Sequence, residues 1–159
     1  MSGSGRRAAW LGIAAALALL GVGLVWLIAR LQGPPSGPQP VVWDRTACAE
    51  CRMAVSEPRY AAQLQTRDGR VLDFDDPGCL FLYQAATAPA VHAVYFHHCR
   101  EERWLSAAEA GFVGAGPSPM DFNLGAVDRE EAGAITVEAA RAQALARRTD
   151  AHDQGAAPQ

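Results

Sequence analysis

The chain has 159 residues, 50% of them apolar and 19% charged, with a net charge of −3, which suits one folded domain with additions and excludes an intrinsically disordered protein. No basic run supplies the electrostatic footprint of a nucleic-acid binder. Lysine is absent altogether, so Schiff-base catalysis and a Walker A phosphate loop are excluded, and no G-x-S-x-G elbow or H-E-x-x-H helix is present.

Residues 1–7 contain Arg6 and Arg7, and from Ala8 to Ala29 no charged residue occurs. An apolar run of that length predicts a helix able to cross a bilayer. It ends Leu27-Ile28-Ala29-Arg30 without the small-residue cleavage pattern of a signal peptide, so an uncleaved anchor is expected. The excess of positive charge before the span puts residues 1–7 in the cytoplasm and the rest in the periplasm or cell exterior. Residues 30–43 are rich in proline and glycine, from Pro34-Pro35 to Pro40, and read as an extended tether reaching up to about 28 Å.

The exported domain expected over 44–148 begins with Cys48-Ala49-Glu50-Cys51-Arg52-Met53, two thiols and a thioether within six positions. Thiolate with thioether is the donor set that selects Cu(I), whereas zinc accepts the cysteines and gains little from the methionine. A CxxC pair also serves structural disulfides and redox catalysis, but Arg52 in place of His excludes covalent haem. Cys79 and Cys99 make the cysteine count even, which permits disulfides outside the cytoplasm.

Tyr60, Ala62 and Leu64 alternate with Ala61, Gln63 and Gln65, the period of a half-buried strand. Asp68-Gly69 supplies a hairpin turn, and Val71–Asp75 is the partner strand with Leu72 and Phe74 inward. Asp76 and Pro77 read as N-cap and first position of a helix over Pro77–Ala86. Cys79 then falls in its first turn, either as a buried small hydrophobe or as a thiol acidified by the helix N-terminus. Val91–His98 has apolar residues on both faces and predicts an interior strand, giving β-β-α-β. His97-His98-Cys99 is a second donor cluster from which one histidine at most can join Cys99, since neighbours on a strand face opposite ways; the expectation is one solvent-facing and one satisfied histidine. Gly111–Ala115 and Asn123–Val127 are candidate strands, Val137–Arg148 is an alanine-rich helix, and 149–159 reads as a disordered tail.

In this order and spacing, Cys48-x-x-Cys51-x-Met53, Pro58-Arg59-Tyr60-Ala61-Ala62, Asp68-Gly69-Arg70, Phe74-Asp75-Asp76-Pro77-Gly78-Cys79, Trp104 and Pro119-Met120 resemble the NosL family of copper-binding accessory proteins for nitrous oxide reductase. The resemblance implies an α+β fold of two ββαβ modules related to part of the organomercurial lyase fold, with copper as Cu(I) and Cys48, Cys51, Met53 and Met120 as metal ligands. It also implies nitrous oxide reductase, or the membrane machinery that matures it, as recipient. The family is usually anchored by an acylated cysteine, whereas this chain has none before Cys48, and glycine usually follows the Pro-Met pair where Asp121-Phe122 stands here.

The sequence therefore reads as a non-enzymatic, membrane-anchored Cu(I) chaperone that hands its metal on by ligand exchange. Two other readings remain. One is a thiol–disulfide oxidoreductase using Cys48 and Cys51, although no thioredoxin-like βαβ pattern surrounds them. The other is a structural zinc site built from Cys48, Cys51, Cys99 and His97 or His98.

Overall fold

The computed structural model describes residues 3–31 and 33–155, with side chains of the first and last helices described only in part. The chain separates into two units at Gly33 and Pro34. The first is α1 (Gly3–Leu31), whose described apolar side chains, Leu19, Leu20 and Val25 among them, are exposed. The expected membrane-spanning anchor over Ala8–Ala29 is overturned, because among the described residues no helix is long and apolar enough to cross a membrane. The single-pass placement, with the following domain in the periplasm or cell exterior, rested on that anchor and falls with it.

The second unit is α+β. Strands β1 (Ala62–Thr66) and β2 (Val71–Phe74) form an antiparallel hairpin with Leu64 opposite Leu72. Its turn uses Gly69 at φ +85°, where a side chain would be strained. Helix α2 (Pro77–Thr87) then carries the chain across, so that β3 (Val91–His97) pairs with the other edge of β1. The short strand β4 (Trp104–Ser106) adds to β3, giving the order β2-β1-β3-β4. A second, two-stranded sheet follows, made of β5 (Ala110–Gly114) and β6 (Leu124–Asp128), and then α3 (Val137–Gly155).

The expectation of two ββαβ modules holds for the first alone. The second stops at ββα among the described residues, and the β5 edge is bridged by Ile135, just ahead of α3, to Phe112. Helix α3 also continues beyond Arg148, where the tail was expected to begin.

One apolar core joins the two sheets. Phe81 of α2, Phe96 of β3 and Phe112 of β5 are each at most 1% exposed, with ring centroids 4.9 to 5.8 Å apart. Such tilted and edge-on pairs add to the area that the rings bury. On α3, Ala140 and Ala144 are fully buried, four residues apart on the face that packs inward.

Strand β1 departs from the half-buried alternation its sequence suggests, since Gln63 and Gln65 are buried as fully as Leu64. The cover comes from the proline-rich segment, which from Pro34 onward belongs to the second unit. The Gln39 backbone N–H donates to Gln63 Oε1 at 2.7 Å, Gln63 Nε2 donates back to the Gln39 carbonyl at 3.1 Å, and Gln65 Nε2 donates to the Gly37 carbonyl at 2.6 Å. Prolines leave carbonyls without competing N–H groups, and the buried amides of β1 use them.

Gly78, in the first turn of α2, lies under the Phe122 ring. A Cβ there would sit 2.1 Å from Phe122 Cγ. Gly78→Ala should therefore destabilise the domain by about 1–3 kcal/mol through overpacking, read as a lower midpoint in urea unfolding with unchanged slope; an unchanged midpoint would show that Phe122 moves aside freely.

Candidate metal centre

The Cys48–Met53 loop is closed by its own backbone. The Cys48 N–H donates to the Met53 carbonyl at 2.7 Å, the Arg52 N–H donates to the Cys48 carbonyl at 3.1 Å, and Ala47 bridges Ala54. Arg52 completes the turn in the left-handed region, φ +69°. The loop is docked on the hairpin by the Ala49 N–H, which donates to the Asp73 carbonyl of β2 at 2.9 Å. That bond sets the two thiols against the end of β2 and the start of α2.

At this junction Asp75 and Asp76 divide the work. Asp76 is the N-cap, accepting from the Gly78 N–H at 2.9 Å, and it also accepts from Ser118 Oγ at 2.5 Å and the Met120 N–H at 3.3 Å. Burial raises its carboxyl pKa and these donors oppose the rise. Asp75 faces the other way and is 1% exposed. The Cys51 thiol donates to its two oxygens at 3.4 and 3.5 Å. Among the described residues no arginine or histidine forms an ion pair with it.

Cys79, one turn into α2, completes the cluster. One donor atom from each of Cys48, Cys51, Asp75 and Cys79 lies within 4.8 Å of the others, a spread that can surround a single ion. All four cysteines are free thiols. Cys48 and Cys79 are buried and Cys51 is half-buried, so the cluster opens on the Cys51 side.

The thiols are strongly differentiated. The neighbouring Cys79 thiol, helped by the Cys51 backbone and opposed by burial, holds Cys48 well below the ordinary thiol range, at about 7. Burial, with the charge of Cys48, pushes Cys51 up to about 12. Cys79 is driven far upward, first by donating to Cys48 and then by burial. The helix N-terminus therefore does not acidify Cys79. A Cys48 thiolate beside a carboxylate, buried and lacking a protein cation, concentrates negative charge where desolvation makes it costly, and a bound cation would offset that cost.

Of the four residues expected as ligands, the structure brings Cys48 and Cys51 together. Met53 lies beside them in sequence with its side chain 53% exposed, and Met120 is half-buried against the core, its backbone held by Asp76. Asp75 and Cys79 were not anticipated as ligands. Their signal was the doubled aspartate before Pro77, of which a helix cap uses only one, followed by a cysteine one turn on.

The zinc set built on Cys99 does not form. Cys99 is absent from the one group of three or more converging His, Cys, Asp or Glu donors among the described residues. Both neighbouring histidines are buried, at 5% and 3% exposure, instead of one facing solvent. His97 lies edge-on to Trp43 and Trp104, and His98 Nε2 is 4.0 Å from Asp128.

These features define a class, a small α+β protein with a buried, sulfur-rich centre suited to a soft cation. No protein-family model and no curated protein matches the sequence. Among solved structures it is similar to the crystal structure of the copper chaperone NosL from Shewanella denitrificans, with a TM-score of 0.53 and 20% identity, covering 71% of this chain and 89% of that one. The fold is therefore NosL-like, as the sequence motifs implied.

The Cys79–Cys48 contact sets a titration. Because the folded-state pKa of Cys48 is depressed to about 7, its contribution to stability is present above the unfolded thiol value and is lost as pH falls through about 7. In metal-free protein the ultraviolet absorbance of one thiolate should appear with a midpoint near 7. Cys79→Ala removes the donor and should move that midpoint upward; an unmoved midpoint would show that the loop backbone alone stabilises the thiolate.

Proposed function

We infer that the protein is a Cu(I) chaperone whose cargo is held at the Cys48 and Cys51 thiolates. The observation that carries this reading is the convergence of Cys48, Cys51, Asp75 and Cys79 within 4.8 Å, in a fold similar to that of a copper chaperone. Soft sulfur donors favour Cu(I) over harder cations. Asp75 acts in this reading as the acceptor that takes up the Cys51 thiol until metal displaces its proton, and Cys79 is a third sulfur within reach of the ion.

Met53 and Met120 are proposed as thioether ligands with different duties. Met53, half-exposed at the open side, suits the first and last contact with travelling metal. Met120, tethered to Asp76 through its backbone N–H, is proposed as the inner of the two. A soft ion can then move by stepwise ligand exchange, each new sulfur arriving before the old one leaves. The motif resemblance names nitrous oxide reductase or its maturation machinery as recipient. No bond-making chemistry is required of the chain.

One observation favours redox chemistry as a second reading, namely the lowered pKa of Cys48. Against it stands the complete burial of that sulfur, which withholds it from a protein disulfide substrate.

Cys48→Ser and Cys51→Ser should each weaken Cu(I) binding by at least about tenfold, roughly 1.4 kcal/mol, in competition with a Cu(I)-specific chelator, with the far-ultraviolet circular dichroism retained. Parent-like binding by both would place the copper site elsewhere. Catalytic turnover of a dithiol substrate by the metal-free parent, lost in both variants, would support the oxidoreductase reading.

For Met120, leucine keeps the volume and removes the donor, at a stability cost usually below about 1.5 kcal/mol. Met120→Leu should lower Cu(I) affinity and leave thiol labelling of Cys51 unchanged. Equal affinity would reduce Met120 to packing.

A further inference from the structure

Away from the metal centre a cleft of about 440 Å³ opens between the turn at Pro58–Tyr60, the end of β3 and the end of β5, lined by Arg59, Tyr60, Cys99, Arg100, Val113–Gly116 and Glu131. The Cys99 backbone is fixed by its N–H, which donates to the Ala126 carbonyl of β6 at 2.8 Å. Its sulfur packs over Gly125, where a Cβ would come within 3.0 Å of Sγ. The thiol is half-buried and free, and the Arg100 guanidinium interacts with it.

Three further groups face the same space. Arg59 is more than half exposed, its guanidinium 4.8 Å from the centroid of the Tyr60 ring, and its only ion pair among the described residues is the short-range one with Glu57. Arg100 is held by Glu131 and keeps further N–H groups in its fork. Tyr60 is 1% exposed, yet its hydroxyl has no hydrogen-bond partner among the described residues. Among the described residues the one fully enclosed side-chain polar atom without a partner is Gln65 Oε1, so the Tyr60 hydroxyl keeps access to the cleft that Tyr60 lines and is a donor left for an occupant.

We propose that this cleft is a thiol-modification site, in which Cys99 forms a mixed disulfide with a small disulfide bearing carboxylates, of the glutathione class. Arg59 and Arg100 recognise the carboxylates by charge-assisted hydrogen bonds, and the Tyr60 hydroxyl supplies a third, neutral donor. The Cys99 sulfur attacks one sulfur of the incoming disulfide. A new S–S bond forms as the disulfide's own S–S bond breaks, and the other half leaves as a thiolate with the electron pair. The Cys99 proton passes to solvent, from which the leaving thiolate is reprotonated. Cys99 is oxidised and one half of the reagent is reduced.

The test uses the full chain exposed to oxidised glutathione or to the neutral 2-hydroxyethyl disulfide, with adducts located by fragment-ion mass spectrometry. Cys99 should take up the glutathione half at least about tenfold faster than the neutral half, the order that electrostatic attraction supplies. Arg100→Gln and Arg59→Gln should each reduce that preference, Tyr60→Phe should slow the glutathione reaction more than the neutral one, and Cys99→Ser should remove the adduct. Circular dichroism confirms that each variant is folded. An unmodified Cys99 in the parent, equal rates with both reagents, or a preference that survives both arginine substitutions would overturn the proposal.

Discussion

The structure depends on one buried carboxylate. Asp76 caps α2, receives the Ser118 hydroxyl and receives the Met120 N–H, so a single side chain starts the helix of the first module and pins the loop between β5 and β6 of the second. Each bond leaves no orphaned donor in a place that water does not reach, and an unpaired buried polar group typically costs about 1–3 kcal/mol. Cutting this tie exposes donors on two segments that are 42 residues apart in the chain.

Because Asp76 turns toward the second module, its neighbour Asp75 turns away from it, toward the loop of Cys48 and Cys51. The two aspartates thus couple architecture to chemistry. The same junction that ends β2 and begins α2 aims Asp75 and Cys79 at the sulfur loop, and the close approach of Phe122 over Gly78 fixes that first turn from outside. No residue of the cluster needs a long flexible side chain to reach it. Short side chains on a strand end, a helix start and a closed loop lose little rotamer entropy when a ligand orders them.

Local grammar was legible in the sequence where one residue does one job. Asp68-Gly69 marked the hairpin turn, Asp76-Pro77 marked the helix start, and the apolar run at Val91 marked the strand between β1 and β4. Legibility failed where distant segments supply the environment. Gln63 and Gln65 look solvent-facing by alternation, and only carbonyls from Gly37 and Gln39 make their burial tolerable. Cys79 reads equally well as core filler until a loop some thirty positions earlier folds against it. The length of the apolar run from Ala8 predicted an anchor that the described helix does not supply.

In the proposed role the centre must reconcile tight holding with release, and its burial gradient would serve both. Cys48 and Cys79 are sealed, where the neighbouring Cys79 thiol holds the Cys48 pKa down, at about 7, without a permanent cation. Cys51 is half-buried, and Met53, two residues on, is exposed. Moving outward along this short path, a soft ion would exchange a charged, desolvated thiolate for a neutral thioether in contact with solvent, so affinity falls step by step toward the surface. The closed loop keeps those steps in order, since Met53 and Cys48 are joined by the 2.7 Å backbone bond that shapes the turn. In the proposed role, the hydrogen bond that folds the motif would thereby also order the steps by which metal leaves.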